Sequence, residues 1–120
     1  MKNSKKKSGN KKYNKEVYPL RVLGKTYWVT VIDQPELAID GARVYGVTNN
    51  KQQHINLDRN QGFDQIRETL LHELIHVWEG SFKITIKHED VYSLAVFLYS
   101  VMKDNPKLVN WLMEKADESK

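Results

Sequence analysis

FDQIRETLLHELIHVWEG, residues 63–80, decides how the rest of the chain is read. Phe63, Ile66, Leu70, Leu74, Val77 and Trp78 recur with a period of about 3.6 and fall on one arc of a helical wheel. The stretch therefore predicts an amphipathic helix, closed by Gly80-Ser81. Inside it, His72 and His76 are four residues apart and so lie one turn above the other. At about 100° per residue from Ile66 they fall near 240° and 280°, while the apolar arc runs from about 0° to 180°. The histidines face away from the centre of the core, on a side shared with Thr69 and Gly80, which are small or polar enough to line a cleft.

His72-Glu73-Leu74-Ile75-His76 is an HExxH pattern. Two imidazoles on one helix face can reach one ion, and Zn²⁺ suits them because it accepts imidazole nitrogen in a tetrahedral shell. Glu73 is displaced round the wheel so that its carboxylate can stand beside the metal and meet a bound water. Zinc lowers the pKa of that water, the carboxylate takes the proton, and the hydroxide attacks a carbonyl that the metal polarises. Hydrolysis of a peptide bond is the natural product. With four histidines in 120 residues, chance places such a pattern in a chain on the order of 1% of the time. The competing reading is two solvated surface histidines beside an ordinary glutamate.

A catalytic zinc needs three protein ligands and an open fourth position, so a third donor is sought downstream. His88, Glu89 and Asp90 are the candidates. Glu89 is preferred because it opens a helix whose Val91, Leu94 and Leu98 are expected to pack inward. Against this, acids at a helix N-terminus are favoured by the helix dipole alone, and His88 also reads as an N-cap or loop residue. His54 and Asp58, on or near a strand, read as surface residues.

Upstream of the helix the period is two. Val17 to Asp33 predicts two strands with a hairpin turn at Gly24-Lys25. Pro35 stops the second, and Glu36 to Asp40 reads as a helical turn or loop. Arg43 to Thr48 and Gln52 to Asp58 predict a second pair, joined through Asn49-Asn50-Lys51 with φ > 0 expected at asparagine. Downstream, Phe82 to Ile86 reads as a short strand or extended connector. A second helix follows from about His88 or Glu89 to Lys103-Asp104. A third runs to about Ala116, with Asn105 as N-cap and Pro106 at its first position. The expected fold is α+β, a small antiparallel sheet followed by three helices.

The absence of cysteine excludes disulfides, thiolate nucleophiles and iron–sulfur clusters, so a metal site must use His, Asp or Glu. The net charge of +4 conceals two regions. Residues 1–15 carry seven lysines and no acid, which leaves the remainder with twelve basic against fifteen acidic residues, a net −3. Residues 1–16 are expected to form a disordered basic tail on a single domain, 17–120. Such a tail solubilises the chain or makes weak electrostatic contact with nucleic acid. No apolar run reaches the length of a membrane span and no secretory signal is visible, so a cytoplasmic location is expected. Trp28, Trp78 and Trp111 read as packing residues, and neither a phosphate-binding glycine loop nor a serine nucleophile elbow is present.

Three segments together resemble the small HExxH zinc metallopeptidases of phages and bacterial mobile elements, related in outline to ImmA/IrrE-like and gluzincin-type enzymes. They are Glu68 to His76, Glu89-Asp90-Val91 leading into Leu94-Ala95, and Asp104-Asn105-Pro106 before the last helix. The resemblance spans roughly residues 41 to 116, and its specific part is HExxH. It implies a minimal zincin-like fold, zinc on His72, His76 and Glu89, Glu73 as general base, and an edge strand able to receive an extended peptide. It also implies a bacterial host carrying a phage or prophage. Asp90-Val91-Tyr92-Ser93 departs from the acid-and-asparagine run of ImmA/IrrE members, and the lysine tail matches no family pattern. An oxyanion stabiliser has candidates in Tyr45, His54 and Tyr92.

A zinc-dependent peptidase of narrow specificity is the leading expectation. The alternative is a non-catalytic zinc protein with a closed metal site and a tail tethered to nucleic acid. Hydrolysis of a non-peptide amide or of cell wall uses the same chemistry.

Overall fold

The computed structural model describes residues 15–32, 38–39 and 42–116. Strands β1 (Lys15–Val22), β2 (Lys25–Ile32), β3 (Ala38–Ile39), β4 (Ala42–Arg43), β5 (Gly46–Asn49) and β6 (His54–Asp58) come first. Helices α1 (Phe63–Phe82), α2 (His88–Asp104) and α3 (Pro106–Met113) follow, an α+β order. Residues 1–14 of the expected tail lie outside the described residues, whereas Lys15 and Glu16 open β1 opposite Ile32 and Val31. Pro35 also lies outside them. Within Glu36 to Asp40, only Ala38 and Ile39 are described, and they pair with Ala42 and Arg43.

The β1–β2 turn falls on Leu23-Gly24, one residue before the expected place, with φ of 51° and 78°. Two left-handed residues make the turn whose twist matches a hairpin, but an exposed leucine is poorly suited to that backbone. Leu23→Asn is therefore expected to stabilise the protein by about 0.5–1 kcal/mol and to raise Tm by about 2–6 °C in thermal denaturation. An unchanged Tm would mean that Leu23 makes a compensating contact.

The four-stranded sheet has the order β1-β2-β6-β5. Its outer pairs are antiparallel, but β2 and β6 run parallel, from Trp28 beside His54 to Ile32 beside Asp58. The all-antiparallel expectation is thus corrected to a mixed sheet. Local turn signals determine each hairpin and say nothing of how two hairpins meet. Here β6 returns between β2 and β5, so Tyr27, Val29 and Val31 share one face with Ile55 and Leu57. Val77 of α1 closes that cluster, flanked by Ile66, Leu70 and Leu74. Each fully buried aliphatic side chain here contributes about 1.5–3 kcal/mol. Thr30, Ile32 and Asp58, on the opposite face, are buried as well. Burial on both faces accounts for the nearly continuous apolar run of β2.

In the β5–β6 loop the positive φ belongs to Gln53, at 55°, and not to an asparagine. Asn49 instead accepts the Gln52 amide at 2.9 Å, and Gln53 closes the four-residue loop before β6. This loop lies against α1. Asn50 accepts from the Tyr27 hydroxyl at 3.0 Å and donates to the His76 carbonyl at 3.3 Å. A Cβ on Gly80 would collide with the Asn50 side chain, so glycine here serves the close approach of the loop. The helix does not end at Gly80-Ser81 as expected; it runs to Phe82 and is capped by left-handed Lys83.

A second stripe of α1, Leu71 and Ile75, packs on Val91 and Ala95 of α2, with Ile86 from the extended connector. Leu94 and Leu98, expected to pack inward, remain 37% and 38% exposed. Asp64 near the start of α1 accepts from Tyr99 and Lys103 of α2, each at 2.8 Å. Asn105 does not cap α3 with its side chain, which turns back to donate to the Val101 carbonyl at 2.8 Å. Among the described residues no helix is long and apolar enough to cross a membrane.

Candidate metal centre

The third stripe of α1 carries Thr69, His72, Glu73, His76 and Gly80, and faces a cleft bounded by β5 and by the start of α2. The cleft volume is about 770 Å³. Nε2 of His72 and Nε2 of His76 stand 3.1 Å apart, an approach that the one-turn spacing allows. His88, the first residue of α2, joins them: its ring centroid is 4.7 Å from that of His72 and 5.7 Å from that of His76. Potential ligand atoms of the three histidines all lie within 4.8 Å of one another, so the cluster could hold a metal ion.

Glu89 and Asp90 stand outside this cluster, exposed on the first turn of α2. Docking of Val91 and Ala95 on α1 sets the rotation of α2. His88 then lies beside the helix contact, while Glu89 and Asp90 are turned about 100° and 200° round the axis from it. Of the three downstream candidates, the structure brings His88 to His72 and His76, and neither Glu89 nor Asp90.

The donor set fits a divalent cation that prefers nitrogen. Burial above all, with the nearby His76 and His88 charges adding to it, pushes the His72 pKa down to about 4, so its imidazole is neutral near neutral pH. Glu79 lies 2.6 Å from Nδ1 of His76. The Ile86 amide, donating to Glu79 at 2.7 Å, is the main cause holding that carboxyl below its ordinary pKa. An ionised Glu79 can only accept, so Nδ1 of His76 donates to it, and Nε2 is the nitrogen turned toward His72 and offered to a metal. The same carboxylate thus orients one histidine and ties down the connector that delivers His88.

Glu73 is 5% exposed. Burial raises its pKa above the ordinary carboxylate value, opposed by the Thr48 hydrogen bond and the neighbouring His76 and His88. The Thr48 hydroxyl donates to Oε1 at 2.6 Å. A Cβ on Gly46 would stand 2.9 Å from Oε2 and 2.8 Å from Cγ2 of Thr69. Glycine at 46 therefore lets β5 approach α1 without covering the carboxylate.

Of the oxyanion candidates, Tyr45 and Tyr92 line the cleft. His54 belongs to another part of the sheet, with Nε2 2.7 Å from the Thr30 hydroxyl. Glu79, Thr48 and Gly46 escaped the sequence reading. Glu79 had a local signal, three residues after His76 on the same helix. Thr48 and Gly46 had none, because their roles depend on how β5 crosses α1. Comparison with protein-family models, with curated proteins and with solved structures returns no match.

Proposed function

We propose that the chain is a zinc metallopeptidase of the HExxH kind, with His72, His76 and His88 as metal ligands and Glu73 as general base. The observation carrying this reading is the meeting of three imidazoles and one buried carboxylate in a single open cleft. Zinc suits three imidazole donors and, when bound, supplies a Lewis acid that acidifies solvent and polarises a carbonyl.

The chain's own residues account for the rest. Thr48 holds Oε1 of Glu73, so Oε2 is the atom left to take a proton from the attacking water. Glu73 then passes this proton to the leaving amine as the C–N bond breaks, and the water oxygen remains on the acyl carbon. β5 lies at the edge of the sheet, and its Gly46, Val47 and Thr48 line the cleft. An extended peptide can lie along this edge by main-chain pairing. Tyr45 and Tyr92 carry the cleft-side hydroxyls available to a developing oxyanion.

The cleft beside the histidines favours hydrolysis over a closed, non-catalytic metal site. Purified protein should contain about one zinc per chain by elemental analysis. A strong chelator should remove hydrolysis of a peptide library, and added zinc should restore it. Protein free of metal after purification and unable to bind zinc would end this reading.

A further inference from the structure

Three glutamates line the cleft: Glu68, Glu73 and Glu79. Glu73 is held by Thr48, and Glu79 by His76 and the Ile86 amide. Glu68 is half-buried and has no hydrogen bond or ion pair within the described residues. It stands one helical turn, about 6 Å, before His72 along α1. Opposite it, Tyr92 and Val96 stand one and two turns after His88 on α2 and line the same cleft. One end of the cleft therefore combines a free carboxylate, an exposed aromatic ring and an aliphatic wall.

From this arrangement we infer that the Glu68 end of the cleft is a subsite for a lysine or arginine side chain of the substrate, on the residue flanking the scissile bond. The inference rests on the peptidase reading for what the subsite serves. Successive residues of an extended peptide advance about 3.3 Å. A lysine or arginine stem spans the remaining distance from a bond held at the histidines to Glu68. Val96 and the Tyr92 ring cover the apolar stem, the ring face attracts the cation, and the carboxylate receives the charged end. An acidic side chain at the same position meets Glu68 as a like charge.

The test uses full-length, zinc-loaded Glu73→Gln protein, so that binding is read without turnover. The ligands are alanine-background octapeptides carrying one central Lys, norleucine or Glu, titrated by calorimetry. The lysine peptide should bind about fivefold more tightly than the norleucine peptide, and the glutamate peptide more weakly than either. Adding Glu68→Gln should remove the lysine preference, and Glu68→Lys should reverse it in favour of glutamate, with helix content unchanged by circular dichroism. Equal binding of the three peptides, no binding of any, or a lysine preference that survives Glu68→Gln overturns the subsite. A Glu68-dependent lysine preference in a wild-type protein that cleaves none of these peptides supports the subsite and removes the hydrolytic reading instead.

Discussion

Glu73→Gln should lower peptide hydrolysis by two to four orders of magnitude while the zinc content stays at the wild-type level. Gln is nearly isosteric with Glu and retains the oxygen that accepts from Thr48 at 2.6 Å. The local packing against Gly46 and Thr69 is therefore preserved, and what disappears is the ability to take a proton. Glu73 stands outside the three-histidine cluster, so its loss should leave metal affinity within a few-fold. Steady-state rates and elemental analysis on the same preparation separate the two effects. Wild-type turnover by this variant would remove Glu73 from the role of base, and loss of metal would make it a ligand.

The second large effect distinguishes His88 from Glu89. His88→Ala should weaken zinc binding by about a hundredfold or more, measured by competition with a chromophoric chelator. Even the groups that only orient ligands are worth about 10–100-fold in such sites, and His88 is proposed as a direct donor. Glu89→Ala should leave zinc affinity nearly unchanged. Its expected cost is about 0.3–1 kcal/mol of stability, from the lost interaction of an acid with the N-terminus of α2. Glu79→Ala should fall between them, because that carboxylate both orients His76 and tethers Ile86. The opposite ranking, with Glu89→Ala losing zinc and His88→Ala keeping it, would restore the acid as third ligand.

Stretches governed by local geometry were legible without coordinates. The 3.6-residue period of residues 63–80 requires a helix, and a spacing of four on a helix brings His72 and His76 to one face whatever surrounds them. Alternation and turn residues likewise marked both hairpins and the order of strands before helices. Turn details were less legible, since the left-handed residues proved to be Leu23 and Gln53 as well as Gly24.

What only the tertiary structure decided was the meeting of segments far apart in the chain. The parallel junction of β2 with β6 follows from two hairpins burying one common face against α1. The presence of His88 in the cluster, where the sequence favoured Glu89, follows from Val91 and Ala95 docking on Ile75, which fixes the rotation of α2. The approach of Gly46 and Thr48 to Glu73 depends on β5 lying against α1, and no periodicity within either element encodes it. Covalent spacing determines which groups share a face; burial of apolar surface determines which faces meet.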